Sequence, residues 1–139
     1  MKKGFTLVEV LGVVAILAII TMVATPSIIS MVKTANSKMK ATEDETIIVA
    51  AVKYVKDNPN HTNSSNARDY DLTQKGSVIK VTASTLVTAK YLDANLLLKS
   101  SYYKNYYQVD SKGVVTKDSI VVTITVVDAN GSITTTIAP

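Results

Sequence analysis

Glu9 is the residue that most demands a chemical reason, because its carboxylate stands directly in front of 23 consecutive uncharged positions, Val10 to Val32. An ionisable group at the edge of such a stretch is costly unless it is partnered. Lys3 lies six residues back, outside the three- and four-residue reach of one helix face, so no cation of the same helix meets Glu9. Its counter-charge must come from elsewhere. Upstream, Lys2 and Lys3 precede a Gly4–Phe5 bond.

The other residues able to do chemistry carry weaker signals. The chain has no cysteine, which excludes a disulfide framework and a thiolate metal site. Its one histidine, His61, sits in an Asn/Ser/Thr stretch and reads as a solvated loop residue. Asp110, Asp118 and Asp128 fall near turns and could in principle share a calcium ion; separate turn-forming roles explain each, and no metal site is expected. Tyr102, Tyr103, Lys104, Asn105, Tyr106 and Tyr107 interleave rings with a cation as single-strand nucleic-acid binders do. Surface or subunit packing is the preferred reading, and no nucleic-acid partner is expected. The sequence has no Gly-x-Ser-x-Gly, phosphate loop or paired-histidine site, so it points to a protein that is not an enzyme and needs no cofactor.

The element that positions Glu9 is the uncharged run itself. As a helix it would extend about 35 Å, enough to cross the hydrocarbon of a bilayer. Lys2 and Lys3 before it keep the N-terminus cytoplasmic and send the rest of the chain across. A cleavable secretory signal fits poorly: the run is long, and a cut after Thr25 would fall at Pro26. A plain signal anchor explains everything except Glu9. At 139 residues and 14.9 kDa, what remains is one modest domain. Without Lys2 and Lys3, the 15 basic residues become 13 against 11 acidic ones, a balance too even for a nucleic-acid binder.

Lys2-Lys3-Gly4-Phe5-Thr6-Leu7-Val8-Glu9 resembles the prepilin processing site of type IV pilins and type II secretion pseudopilins. The resemblance implies that a membrane-embedded prepilin peptidase cuts after Gly4 and methylates the new N-terminal residue, Phe5. Glycine suits that position because it adds no side chain and lets the backbone lie extended in a protease cleft. Cleavage would leave an ammonium on Phe5, one helical turn from Glu9, and in a filament a neighbour's Phe5 ammonium would meet the Glu9 carboxylate inside an apolar core. Phe5 and Glu9 are thus the expected assembly residues. Pro26 falls where many pilins carry a helix-kinking proline, and a bend or local opening near Met22 to Pro26 is expected. The resemblance covers the first half of the helix and extends to about Asp57; beyond that only the general plan matches.

The rest of the chain supplies a head. Ile28, Ile29, Val32, Ala35, Met39, Ile47, Ala50, Ala51, Tyr54 and Val55 recur at helical spacing, and Lys33, Lys38, Lys40, Glu43, Asp44, Glu45, Lys53 and Lys56 read as the solvated face. Asn58-Pro59 ends the helix. Residues 58–77 read as an exposed loop, and 82–92 as a short helix or turn carrying Leu86 and Leu92. Strands are expected at 106–109, 114–116, 120–127 and 133–137, joined by Asp110-Ser111-Lys112-Gly113 and Asp128-Ala129-Asn130-Gly131. In the third, Val122, Ile124 and Val126 should face the helix, with Thr123 and Thr125 in solvent.

The expected fold is α+β: a long N-terminal helix, its apolar half protruding, packed on a small antiparallel sheet as in type IV pilins. Its parts would be a leader at 1–4, a transmembrane or filament-core half-helix at 5–32, and a head at 33–139. The expected function is structural: a subunit of a type IV pilus or similar extracellular filament, polymerised through its N-terminal helix after leader cleavage and N-methylation. Expected partners are the prepilin peptidase, identical or related pilin subunits, an inner-membrane assembly platform and, before assembly, the membrane. The protein would be single-pass first, then part of a surface filament. Alternatives are a pseudopilin of a type II secretion or DNA-uptake machine, or a membrane-anchored binding domain that never polymerises. Pro26, the long helix and the polar loop favour the pilus subunit.

Overall fold

The computed structural model describes residues 6–59, 70–128 and 130–139. In chain order the elements are α1 (Leu7–Asp57), β1 (Val78–Thr82), α2 (Ala83–Thr88), α3 (Ala94–Lys99), a 3-10 turn (Tyr103–Asn105), β2 (Tyr107–Val109), β3 (Val115–Asp118), β4 (Val121–Val126) and β5 (Ile133–Ala138). The fold is α+β, with a long apolar N-terminal helix and small antiparallel sheets. Two compact units divide the chain, residues 1–39 and 40–139.

In the first unit α1 runs through Pro26 without interruption. Its aliphatic side chains lie open: Leu7, Val8, Met22 and Val23 are each at least 75% exposed. Three hydroxyls within the apolar stretch are satisfied internally, Thr21 donating to the Leu17 and Ala18 carbonyls at 3.0 and 2.9 Å, Thr25 to Thr21 at 2.6 Å, and Ser30 to Ser27 at 2.8 Å. These three side chains meet their hydrogen-bonding need within the helix, which suits a nonpolar surrounding. Among the described residues, α1 is the helix long and apolar enough to span a membrane.

In the second unit the last turns of α1 supply one wall of the core. Ile47, Ala50, Ala51, Tyr54 and Val55 are buried at three- and four-residue spacing. The alanines keep that face slim, so Ile79 and Val81 of β1 and Val122, Ile124 and Val126 of β4 complete the interior. Truncating Ile47, which is fully buried, to alanine should cost about 2–5 kcal/mol. Asn58 closes α1, its side-chain amide donating to the Tyr54 carbonyl at 2.8 Å, and Pro59 follows.

The strands form two sheets rather than one: β1-β4-β5 and the pair β2-β3, all antiparallel. β1 carries little strand signal in the sequence, because its five residues between a polar loop and α2 make a short pattern. α3, six residues long, is equally weak in signal. The buried alternation in β4 is as expected, but Thr123 and Thr125 are half-buried rather than solvated. Both hairpin turns fall at the expected residues. Gly113 and Gly131 take φ of 80° and 86°, where a side chain would be strained, and the Asp110 and Asp128 carboxylates each accept from two turn amides.

Of the segment 58–77, expected as an exposed loop, the described residues are neither helix nor strand, but Tyr70 is buried and meets Tyr54 edge-on with ring centroids 5.8 Å apart. Residues 60–69, with His61, lie outside the described residues. The tyrosine cluster is not simply surface: Tyr103 and Tyr107 are fully buried, and Tyr102 and Tyr106 are half-buried against the core. Nor is the face at residues 43–44 simply solvated. The Ser100 hydroxyl donates to Glu43 at 2.6 Å while accepting from the Tyr102 and Tyr103 amides. Asp44 accepts from the Tyr103 hydroxyl and pairs with Lys40 at 2.6 Å. These bonds tie the segment after α3 to the helix.

Candidate processing and assembly site

The first helical turn is built by two residues three apart that answer one another. Thr6 is not helical, and its hydroxyl accepts from the Glu9 N–H at 3.3 Å. The Glu9 carboxylate turns back to accept the Thr6 N–H at 2.9 Å and the Thr6 hydroxyl at 2.8 Å. This reciprocal arrangement is a capping box, satisfying two backbone donors that a helix start otherwise leaves open. The carboxylate also sits where the helix dipole favours negative charge.

Within the chain Glu9 therefore has, in place of the cation that its position calls for, a neutral partner. Its signal was present in Thr6-x-x-Glu9 immediately before an apolar run. The hydrogen bonds stabilise Glu9 at the helix start, yet none of them supplies a counter-charge. Glu9 is exposed, so in the single chain its remaining lone pairs are open to another donor.

Leu7, Val10, Leu11 and Val14 surround this turn with aliphatic surface, all at least 49% exposed. The arrangement offers one carboxylate at the edge of a nonpolar helix. The Thr6 hydroxyl and the Glu9 carboxylate are committed to each other in the cap, and what the exposed carboxylate offers a further partner is electrostatic pairing. Gly4 and Phe5, the expected cleavage and methylation residues, lie outside the described residues. Pro26 lies about 25 Å further along the helix, at 1.5 Å per residue, and its ring nitrogen has no proton to give the Met22 carbonyl.

The aspartates do not gather. Asp118 accepts from the Ser84 amide at 2.7 Å and the Ile120 amide at 3.3 Å, fixing the start of α2. Asp110 and Asp128 serve different hairpins. Backbone bonds from Ser132 hold the Asp128 carboxyl below its usual range, assisted by the Ser132 side chain and the Asn130 amide.

No curated protein and no solved structure matches the chain. Residues 1–25 match the family described as the prokaryotic N-terminal methylation motif, so this chain carries the prepilin signature of type IV pilins and pseudopilins.

Proposed function

We propose that this chain is the structural subunit of a type IV pilus or pilus-like extracellular filament. The methylation motif implies processing by a prepilin peptidase and assembly as a pilin-like precursor, and the apolar helix fits membrane anchoring of that precursor. The observation that carries the finer reading is the open apolar surface of α1 from Leu7 to Val32 with a single carboxylate, Glu9, at its edge. Such a surface must be covered, first by lipid and then by the helices of other copies.

On this reading Gly4 is the last leader residue, Phe5 is methylated, and each Phe5 ammonium meets the Glu9 of a neighbouring copy. Desolvation largely cancels the attraction of a buried pair, while an unpaired charge there costs about 3–5 kcal/mol. Glu9 therefore sets register more than it adds stability. Pro26 supplies the place where the half-helix can adjust. A head-to-tail contact that does not close on itself yields a filament.

Mass spectrometry of the fraction sheared from the cell surface tests this reading. The expected chain begins at Phe5 and is heavier by one methyl group, about 14 Da. A bulky residue at Gly4 should leave the protein full-length in the membrane. A sheared chain that retains Lys2 and Lys3 would overturn the assignment.

A further inference from the structure

β5 is an edge strand of the three-stranded sheet. Among the described residues it pairs with β4 alone. Edge strands commonly carry a charge, a proline or a bulge that discourages pairing with another chain. Ile133-Thr134-Thr135-Thr136-Ile137-Ala138 has no charge and no proline, and its register against β4 is regular throughout. The opposite edge, β1, differs: it carries the exposed Lys80 and leads straight into α2.

The hydrogen-bond direction of each β5 residue follows from the ladder. The Val127 N–H donates to the Ser132 carbonyl at 2.8 Å, and Val126 donates to Ser77 on the other side at 3.0 Å. Successive residues of a strand bond to opposite sides. In the printed register this directs the backbone groups of Thr134, Thr136 and Ala138 to β4, and those of Ile133, Thr135 and Ile137 to the open edge. Their side chains divide in the same way: Ile133, Thr135 and Ile137 are half-buried, and Thr134 and Thr136 are exposed.

We propose that the open edge of β5 pairs antiparallel with β5 of a second copy of this chain, joining two three-stranded sheets into one of six. The edge complements itself. With the two-fold axis at Thr135, Ile133 faces Ile137 and Thr135 faces Thr135 as hydrogen-bonded pairs, so every outward N–H finds a carbonyl. Thr134 then faces Thr136, a favourable cross-strand threonine pair, and no like charges meet. Because this contact closes on itself it cannot build a polymer. It links two heads independently of any N-terminal helix contact, and stands or falls apart from the filament reading.

The absence of native cysteine makes the test clean. Thr134 and Thr136 would occupy non-hydrogen-bonded pairs, where side chains approach closely enough for a disulfide. Full-length Thr134→Cys and Thr136→Cys proteins, in detergent with micelles in excess, are oxidised separately and mixed. The expected result is a disulfide dimer in the mixture, at least severalfold above either protein alone, with Val114→Cys in the exposed β2–β3 turn as the collision control. Thr135→Pro, which removes an outward N–H and leaves the bonds to β4, should abolish the dimer while the circular dichroism melt stays cooperative. If that variant does not fold, the mixture decides alone. Equal cross-linking in all samples, or a disulfide between Thr136→Cys and Lys80→Cys instead, would overturn the two-fold pairing.

Discussion

Thr6 and Glu9 hold each other at the start of the long helix: the Glu9 carboxylate accepts the Thr6 N–H at 2.9 Å, and the Glu9 N–H donates to the Thr6 hydroxyl at 3.3 Å. A carboxylate that awaits a partner is thereby kept at the helix start rather than swinging free. Thr6→Ala removes one half of this exchange and should cost the first turn about 0.5–2 kcal/mol. Amide hydrogen exchange of the full chain in micelles should show faster exchange at Val8, Glu9 and Val10, by roughly two- to thirtyfold. Unchanged rates would mean that lipid or detergent, not the cap, holds this turn.

Tyr103 should make stability fall at alkaline pH. Burial first, then its hydrogen bond to the Asp44 carboxylate, raises the phenol well above the ordinary tyrosine range. The neutral form is the one the fold prefers, so its contribution is complete below about pH 10 and is lost as the pH rises from there toward the raised folded value. Between about pH 9 and about pH 11, the urea midpoint should fall more steeply in the wild type than in Tyr103→Phe. Some slope should remain, because the bond to Asp57 raises Tyr91 and burial raises Tyr107. Identical slopes in the two proteins would remove Tyr103 from the account.

The second unit should stand without the first. Its core is drawn from residues 47–126, and the compact unit begins at Lys40. A chain starting at Lys33 should therefore be a soluble protein with a cooperative melt by circular dichroism. Aggregation, or the absence of a folded spectrum, would show that the apolar half-helix is needed for folding and not only for assembly.

Legibility followed the range of the interactions. α1 could be read because its periodicity and lack of charge extend over many residues, and the β2–β3 and β4–β5 hairpins because Asp and Gly mark their turns. Glu43 and Asp44 could not be separated from ordinary surface charge, since their partners Ser100 and Tyr103 lie 57 and 59 residues away. The same distance hid the buried role of the tyrosines. Their clustering looked like surface, and only the fold turns Tyr103 and Tyr107 inward. At the candidate site the partner is local: Thr6 is three residues from Glu9, and the Thr-x-x-Glu spacing marks the cap in the sequence, although this neutral partner supplies no counter-charge.

The most direct measurement compares Glu9→Gln with the wild type in cells, counting sheared filaments against processed subunit in the membrane. The substitution keeps shape and polarity and removes only the charge. A mere anchor should insert as well or better, whereas a filament must bury a Phe5 ammonium without its counter-charge at every subunit, on the order of 3 kcal/mol or more each time. Normal processing with few or no filaments is the expected outcome. A normal yield of Glu9→Gln filaments would contradict it.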